Sequence, residues 1–347
     1  MAELAERRWS NGGPETVNRP ETANRPLDSR VEDRLTVGLV QMSMSPDPGG
    51  NLARALDLVA DAAAAGARLV CLPELFSWRY FCQVQNTANF ALSEPVPGPT
   101  TRALETLAAD LDLAVVAGVF ERRAPGLYHN AAVFIDGSRG YRGKYRKMHI
   151  PDEPGYREKY YFTPGDLGFR PFRSRWGTCG VLLCWDQWYP EAARLAALQG
   201  ARILLYPTAI GWHPDDSPVE RDCQAEAWEL MQRSHGIANG CFVIAVNRVG
   251  FEPAPGRSAA ARDGAAGIGF WGRSFVSAPD GHVLGRASAE SDEVLIAELD
   301  LAAVERHRVE WPFLRDRRVD AYAGLTARFL DGPDASATDP VASKPPE

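Results

Sequence analysis

The sequence has few of the residues that mark metal-binding, disulfide-rich and membrane proteins. Its 347 residues include six cysteines, none in Cys-x-x-Cys spacing, and six histidines without paired ligand spacing. This pattern excludes a zinc ribbon and a dense disulfide scaffold, so we expect no metal site and no cofactor. No apolar run is long enough to cross a bilayer, and acidic residues and prolines interrupt the region where a signal peptide needs an apolar core.

Charge and cysteine content together favour one compartment and exclude one class of partner. The formal net charge of -7 argues against nucleic acid, which basic proteins bind. Scattered cysteines without a disulfide framework are typical of a reducing environment. We therefore expect a cytoplasmic protein with neither nucleic acid nor membrane among its partners.

Both ends of the chain are polar and low in sequence complexity. Residues 1–32 contain a tandem repeat, Glu-Thr-Val-Asn-Arg-Pro followed by Glu-Thr-Ala-Asn-Arg-Pro, and no apolar periodicity. Residues 332–347 are rich in Pro, Ala, Ser and Asp. Segments of this composition bury too little apolar surface to fold, so we predict two disordered tails around residues 33–331.

Apolar runs alternate with helically spaced apolar positions between the tails. Two dipeptides, Asp136-Gly137 and Asp280-Gly281, are strong turn signals, and each predicts a β-hairpin. The pattern opens β-α-β-α-β, continues through the first hairpin and then repeats a similar plan. We predict an α/β protein with mixed sheets whose outer faces are covered by helices. The predicted strands are residues 35–42, 69–72, 113–120, 128–135, 141–146, 180–184, 203–206, 242–247, 274–278, 283–285 and 294–299.

The candidate nucleophile is Cys184. The apolar run from Gly180 to Cys184 predicts a buried strand, and Pro190 opens a predicted helix that Gly200 ends. Cys184 would then lie on a strand-to-helix elbow, where backbone N–H groups can face an anion. A buried apolar thiol is the usual meaning of a single cysteine. The polar and aromatic turn that follows, Trp-Asp-Gln-Trp, favours a nucleophile instead.

The run from Gly180 to Ala193, Gly-Val-Leu-Leu-Cys-Trp-Asp-Gln-Trp-Tyr-Pro-Glu-Ala-Ala, resembles the nucleophile motif of the nitrilase (carbon–nitrogen hydrolase) superfamily. Among the members of this superfamily, the N-carbamoylputrescine amidohydrolases have a segment similar to His149–Tyr156 of this chain. The resemblance spans roughly residues 34–330. It implies a single domain folded as a four-layer αββα sandwich, a Cys-Glu-Lys triad, and a homodimer or higher homo-oligomer.

Glu74 is the candidate carboxylate of this triad. It follows an apolar strand and Pro73, at the carboxyl end of the strand, where open α/β folds place their sites. A solvated loop glutamate is the commoner meaning of such a residue. The apolar neighbours Leu75, Phe76 and Trp78 would instead desolvate Glu74 and raise its pKa towards that of a general base.

Lys147 is the candidate lysine. It lies in a segment with two other basic residues, Lys144 and Arg146, and such a cluster is most often an exposed basic edge strand. The resemblance selects Lys147, because the family's lysine immediately precedes the Met-His-Ile-Pro tail. Lys144 and Arg146 are then structural or surface charges.

The loop of residues 151–166 contains a second glutamate, Glu158, eleven residues beyond Lys147. Long loops are usually functional or disordered, and the aromatic residues here favour order. The resemblance implies that Glu158 hydrogen-bonds Lys147 and the NH₂ group of the substrate. An exposed loop carboxylate is the alternative.

These residues predict covalent thiol catalysis. Cys184 would attack as a thiolate whose pKa is lowered by the lysine ammonium and by N–H groups at the helix start. Glu74 would take the thiol proton, return it to the leaving nitrogen and then activate water. Lys147 and the backbone N–H of Trp185 would face the oxyanion.

The resemblance implies hydrolysis of a small-molecule substrate, N-carbamoylputrescine, to putrescine, carbon dioxide and ammonia. A β-ureidopropionase or another carbamoyl or aliphatic amide hydrolase would use the same triad, although an acidic substrate calls for an arginine in the pocket. A thiol acyltransferase, or a partner-binding protein that kept the site by descent, belongs to a different class. The complete Cys, Glu, Lys and Glu set argues against an inactive site.

The ammonium of a putrescine chain would need a carboxylate inside a desolvated pocket. Asp152 and Glu153 are the candidates, since both lie on the loop directly after Lys147, although plain turn residues are the alternative. Aromatic faces for the chain are expected from Tyr156, Trp188 and Trp212.

Two later motifs, Asn247–Gly250 and Phe270–Phe275, resemble framework motifs that lie near the pocket in the family. The intervening loop, residues 252–267, is low in complexity and rich in Ala, Gly and Arg. This loop could cover the pocket or extend into solvent.

Overall fold

The computed structural model describes residues 33–255 and 267–330. In this part of the chain, fifteen strands form two six-stranded sheets and one three-stranded sheet. The strands are β1 (Arg34–Gln41), β2 (Leu69–Cys71), β3 (Ala114–Ala124), β4 (Leu127–Asp136), β5 (Gly140–Arg146), β6 (Phe172–Ser174), β7 (Gly177–Val181), β8 (Ile203–Pro207), β9 (Gly211–Trp212), β10 (Phe242–Val246), β11 (Val249–Pro253), β12 (Gly267–Trp271), β13 (Phe275–Ser277), β14 (Val283–Arg286) and β15 (Glu293–Asp300).

The helices begin and end at residues with clear capping preferences. In α1, the Asp47 side chain accepts a hydrogen bond from the Gly49 N–H, and α5 begins with a capping box between Ser217 and Glu220 and ends before the left-handed Gly240. The helices are α1 (Pro48–Ala64), α2 (Pro99–Leu111), α3 (Glu158–Tyr161), α4 (Pro190–Leu198), α5 (Pro218–Asn239) and α6 (Ala302–Glu310). None of them, within the described ranges, is long and apolar enough to cross a membrane.

The two large sheets stack face to face between layers of helices. Strand order in the first is β15-β1-β2-β3-β4-β5, and in the second β14-β13-β10-β8-β7-β6. Because side chains alternate along a strand, Val37 and Leu39 of β1 pack towards the second sheet, whereas Val40 packs in the cluster that includes α1 and α2. On the far side, α4 and α5 cover the second sheet through residues such as Ala196 and Trp228. The predicted α/β class, mixed sheets and four-layer αββα order are confirmed.

Both predicted hairpins are present, since β4 pairs with β5 and β13 with β14 in antiparallel register. The predicted strand that ends at Cys184 is wrong in its last residues. Regular strand β7 ends at Val181. One more backbone hydrogen bond, from the Leu182 N–H to the Leu205 carbonyl at 2.9 Å, continues its pairing with β8. Cys184 itself begins a 3₁₀ turn that runs to Trp188.

Some features of the fold lie outside the predictions. The third sheet, in the order β11-β12-β9, strand β6 and helices α3 and α6 were not predicted. The predicted disordered tails, residues 1–32 and 332–347, lie outside the described residues, as do residues 256–266 of the low-complexity loop. The single domain expected for residues 33–331 stays a prediction.

Candidate active site

A buried ammonium lies between two buried carboxylates. The Nζ of Lys147 is 2.9 Å from Oε1 of Glu74 and 2.7 Å from Oε2 of Glu158. All three side chains are fully buried. They come from three places in the chain: the loop after β2, the first residue after β5, and the first residue of α3. The fold therefore brings together three of the four residues that the sequence motifs singled out for the chemistry.

Two neutral donors complete this cluster, and sequence reasoning missed both. Asn130 Nδ2 donates to Glu74 Oε1 at 2.7 Å and lies 3.3 Å from Glu158 Oε2. The Tyr80 hydroxyl donates to Glu158 Oε1 at 2.6 Å. Asn130 is a polar residue directly before the wholly apolar run of β4, and that position is the one sequence signal that could have identified it.

The backbone around Glu74 is tightly confined. Leu75 has a φ of 50°, which is unusual for a residue other than glycine. Gly118 of the neighbouring strand β3 faces this turn, and a Cβ there would lie 2.7 Å from both Glu74 Cα and Leu75 N. Only glycine leaves room for the loop to pass this close to the sheet, so Gly118 helps to set the position of the carboxylate.

Cys184 lies at the elbow between the second sheet and its outer helix. Its φ is 38°, and it is the first residue of the 3₁₀ turn that leads into α4. Non-glycine residues in this conformation are strained and are common at functional sites. The thiol is almost fully buried, and its Sγ lies 3.8 Å from the Ala209 carbonyl oxygen.

Asp186 joins this elbow to the segment that carries Lys147. Its Oδ2 accepts from Leu183 N–H at 2.9 Å and from the Tyr145 hydroxyl at 2.7 Å. Its Oδ1 accepts from His149 N–H at 3.0 Å and is 2.7 Å from His149 Nδ1. The His149 ring in turn stacks on Tyr189, with centroids 3.7 Å apart. One buried carboxylate thus fixes the residue before Cys184 to residues on both sides of Lys147.

Burial and net charge determine the ionisation of the cluster. Burial raises the pKa of Glu74, and the carboxylate of Glu158 adds to this effect while Lys147 opposes it. Burial acts to lower the pKa of Lys147, but Glu158 and Glu74 outweigh it and raise that pKa above its ordinary range. The ammonium is therefore retained. Two carboxylates around one ammonium give the cluster a formal excess of one negative charge.

The expected lowering of the Cys184 pKa is not what the structure gives. Burial raises the pKa of the thiol, and Glu74 raises it further, against the opposing effect of Lys147. The sequence argument considered only the lysine and the helix start. Burial of the thiol and then the charges of Glu74 and Glu158 outweigh the lysine, which favours the neutral thiol.

A cavity of about 420 Å³ opens above Cys184. Of the predicted substrate-binding residues, Glu153, Tyr156 and Trp188 line it, together with Trp185. Further lining residues that the sequence argument did not single out include Ile210, His213, Cys223, Gln224 and Trp271.

The structure does not bring Asp152 and Trp212 to this cavity. The exposed Asp152 faces Arg157, with 3.8 Å between the carboxylate and the guanidinium. Trp212 instead donates from Nε1 to the Arg221 carbonyl and packs on Trp271, with ring centroids 5.4 Å apart. Asp152 therefore pairs within its own loop, whereas Trp212 packs against α5 and β12.

The two other basic residues near Lys147 are held by a different carboxylate. Glu121 is buried and accepts from Lys144 Nζ at 2.6 Å and from Arg146 Nε at 2.8 Å. Arg146 also pairs with Asp166 at 2.7 Å. These contacts give Lys144 and Arg146 a structural role in the first sheet. Within residues 33–255 and 267–330, no group of three His, Cys, Asp or Glu side chains is arranged to hold a metal ion.

Comparison with known proteins assigns the class. The sequence model of the carbon-nitrogen hydrolase family matches residues 36–309, so the chain belongs to this family. An N-carbamoylputrescine amidase of Solanum lycopersicum is 40% identical over 86% of this chain and 96% of that protein. A citrullinase of Francisella tularensis is 36% identical over 85% of this chain and 99% of that protein.

A solved structure supports the same assignment. The crystal structure of a carbon-nitrogen hydrolase from Helicobacter pylori G27 matches with a TM-score of 0.81 and 44% identity, over 86% of this chain and 100% of that chain. The fold is therefore of the nitrilase type. The protein is a hydrolase that acts on carbon–nitrogen bonds other than peptide bonds.

The four hydrogen bonds of Asp186 generate a stability prediction. Asp186→Asn replaces one acceptor oxygen by an NH₂ group that faces buried donors, so we expect a loss of about 2–4 kcal/mol in the free energy of unfolding. Asp166→Asn is the matched control, because that carboxylate also accepts a hydrogen bond but is largely exposed, and it should cost about 1 kcal/mol or less. Chemical denaturation measures both changes, and equal losses would contradict the role given to Asp186.

Proposed function

We propose that the protein hydrolyses N-carbamoylputrescine to putrescine, carbon dioxide and ammonia. The observation that carries this proposal is the cavity above Cys184, where Glu153 is the one carboxylate among the described lining residues and Tyr156, Trp185 and Trp188 supply aromatic faces. A substrate with a neutral carbamoyl head and an ammonium tail fits this distribution of charge. The similarity to plant N-carbamoylputrescine amidases points to the same substrate.

The first half of the proposed reaction forms a thiocarbamate, in which the carbamoyl carbon is bonded to the Cys184 sulfur. Cys184 Sγ attacks the carbamoyl carbon while its proton passes to Glu74, whose Oε2 has no hydrogen-bond partner among the described residues. Negative charge then moves to the substrate oxygen, which Lys147 and the backbone N–H of Trp185 face. Glu158 holds Lys147 and the NH₂ group of the substrate. Return of the proton to that nitrogen breaks the carbon–nitrogen bond and releases ammonia.

The second half of the reaction hydrolyses the thiocarbamate. Water takes the place of ammonia and loses a proton to Glu74 as it attacks the same carbon. The carbon–sulfur bond breaks, and Glu74 returns the proton to the thiolate of Cys184. The released N-alkylcarbamic acid loses carbon dioxide to give the free amine. The full cycle therefore begins and ends with a neutral thiol.

Other substrates of this class would meet a different charge pattern. Citrulline, which the name of one relative indicates as its substrate, carries the same carbamoyl head but adds a carboxylate to the ammonium tail. 3-Ureidopropionate also ends in a carboxylate. Glu153 would repel the carboxylate of each, and no arginine is among the described residues that line the cavity. A thiol acyltransferase would differ in needing an acceptor amine.

A parallel assay tests the proposal. Purified protein is offered N-carbamoylputrescine, citrulline, 3-ureidopropionate and simple amides without an acceptor amine, and ammonia is measured. We expect the highest kcat/KM with N-carbamoylputrescine and no turnover in Cys184→Ala, because the nucleophile is lost. Cys179→Ala, which removes another buried thiol from the preceding strand, should remain active. Turnover in Cys184→Ala, or a preference for 3-ureidopropionate, would contradict the proposal.

A matched pair of lysines tests the triad. Lys147→Ala removes the cation between two buried carboxylates, and we expect kcat/KM to fall about a thousandfold or more, as for other members of a catalytic unit. Lys144→Ala should stay within about threefold of wild type, since Arg146 still pairs with Glu121. Glu74→Gln, which keeps the shape of the side chain, should lose as much as Lys147→Ala. Steady-state kinetics measures these effects, and circular dichroism checks that each variant is folded. Equal losses at the two lysines would contradict the assignment of Lys147 as the catalytic lysine.

Adjacent acids on one loop test the ammonium subsite. Because the Glu153 side chain is exposed rather than desolvated as expected, Glu153→Gln should raise KM for N-carbamoylputrescine only about three- to fivefold, roughly the 1 kcal/mol or less of an exposed ion pair. The same variant should leave KM unchanged for N-butylurea, which keeps the carbamoyl head and the chain but lacks the ammonium. Asp152→Asn is the control, because Asp152 does not line the cavity. If both substrates weaken together, Glu153 does not bind the ammonium.

We further propose that the protein acts in the cytoplasm as a homodimer or higher homo-oligomer. The C-terminal part of the described chain exposes large apolar side chains, with Trp311, Leu325 and Phe329 at 59%, 65% and 82% exposure, which is typical of an interface. The cytoplasmic location is supported by a separate observation, since all six cysteines are free, as in a reducing compartment. Sedimentation velocity of the full chain measures the assembly, and a monomer at micromolar concentration would contradict it.

A further inference from the structure

A buried ion pair outside the proposed triad contacts the loop that carries Glu74. Arg248 and Glu252 pair at 2.9 Å, and both side chains are buried. Arg248 belongs to the Asn247–Gly250 motif, which the proposed reaction does not use. A buried ion pair gives little net stability by itself, so its contacts indicate what it does.

The guanidinium of Arg248 binds one end of the loop after β2. Its Nη2 donates to the carbonyl oxygens of Glu74 and Leu75 at 2.9 and 2.7 Å, and its Nε lies 3.2 Å from the Glu74 oxygen. Its Nη1 donates to the Trp78 carbonyl at 2.9 Å. These contacts span the strained turn at Leu75. A planar guanidinium with five fixed N–H donors can hold three carbonyl groups and the Glu252 carboxylate at once, whereas an ammonium has three donors on a single nitrogen.

Glu252 binds the other end of the same loop. Its Oε2 accepts from the Tyr80 N–H at 2.5 Å, while its Oε1 accepts from Arg248. The Tyr80 hydroxyl donates in turn to Glu158. Contacts from one ion pair therefore reach the backbone of Glu74 directly and the carboxylate of Glu158 through Tyr80.

We propose that Arg248 and Glu252 are positioning residues that hold the carboxylates of Glu74 and Glu158 against Lys147. Two carboxylates that share one ammonium repel each other, and without a fixed backbone the loop of residues 74–80 is free to relieve this repulsion by moving outward. The ion pair holds both ends of that loop. This inference rests on the proposed function, because the ion pair acts on catalysis only through Glu74 and Glu158, which take part in the proposed reaction.

The test compares two arginines that bind backbone carbonyl groups. Arg248→Lys keeps the positive charge beside Glu252 but loses the fork, so we expect kcat for N-carbamoylputrescine to fall about 10- to 100-fold with KM within about threefold of wild type. Arg308→Lys is the matched control. Arg308 donates to the carbonyls of Asn239 and Ala201, which precede β10 and β8 at the opposite ends of those strands from the site, and its kcat should not change.

A second variant covers a failure of Arg248→Lys to fold. Glu252→Gln keeps the shape and an acceptor oxygen but removes the charge, and it should lower kcat without raising KM. Thermal unfolding midpoints of all variants report stability separately. A lowered midpoint with an unchanged kcat would show that the pair is purely structural, and a raised KM with an unchanged kcat would place its effect in the binding cavity. Either result overturns the inference.

The outcomes separate this inference from the proposed function. An active wild type whose kcat survives both Arg248→Lys and Glu252→Gln contradicts only the positioning role. A wild type that releases ammonia from none of the carbamoyl or amide substrates contradicts the proposed function, and the inference falls with it.

Discussion

The ammonium of Lys147 is the charge on which the site depends. Removing an ion from water costs several kcal/mol, and burial is tolerated only when the partners are close and well oriented. Carboxylate oxygens of Glu74 and Glu158 lie 2.9 and 2.7 Å from the Lys147 Nζ, and Asn130 donates hydrogen bonds to the same two oxygens. Neither carboxylate is stable there without the lysine, and the lysine is not stable without them. The three side chains are therefore buried as one unit, and the fold must deliver them together.

The sandwich meets this requirement by assembling the site across its two sheets. Glu74 and Lys147 follow strands of the first sheet, whereas Cys184 follows β7 of the second. The relative position of carboxylate and thiol is thus fixed by how the sheets stack, and Asp186 adds a direct link between the Cys184 elbow and the Lys147 segment. Packing between the apolar inner faces of the sheets and the hydrogen bonds of Asp186 therefore both fix the position of Cys184 relative to Glu74 and Lys147.

Local sequence signals could predict the elements, but not the contacts between distant ones. Turn dipeptides, helical spacing and the motif around Cys184 are each contained in a few residues. By contrast, Asn130, Tyr80 and Arg248 reach partners 56, 78 and 174 residues away, and nothing in their own segments specifies those partners. The third sheet was missed for a related reason, because β9 has only two residues and carries no recognisable period. The sign of the Cys184 pKa shift also depended on such distant neighbours.

Charge balance also constrains the order of events in the proposed reaction. With two carboxylates and one ammonium, the buried cluster already carries excess negative charge, and a resting thiolate would add to it. Burial of the thiol, together with this charge, raises the pKa of Cys184. In the proposed reaction, proton transfer to Glu74 therefore accompanies attack on carbon, because the substrate carbonyl then takes up the new charge. The same excess keeps Lys147 protonated, and the site therefore retains its cation for the oxyanion at each step.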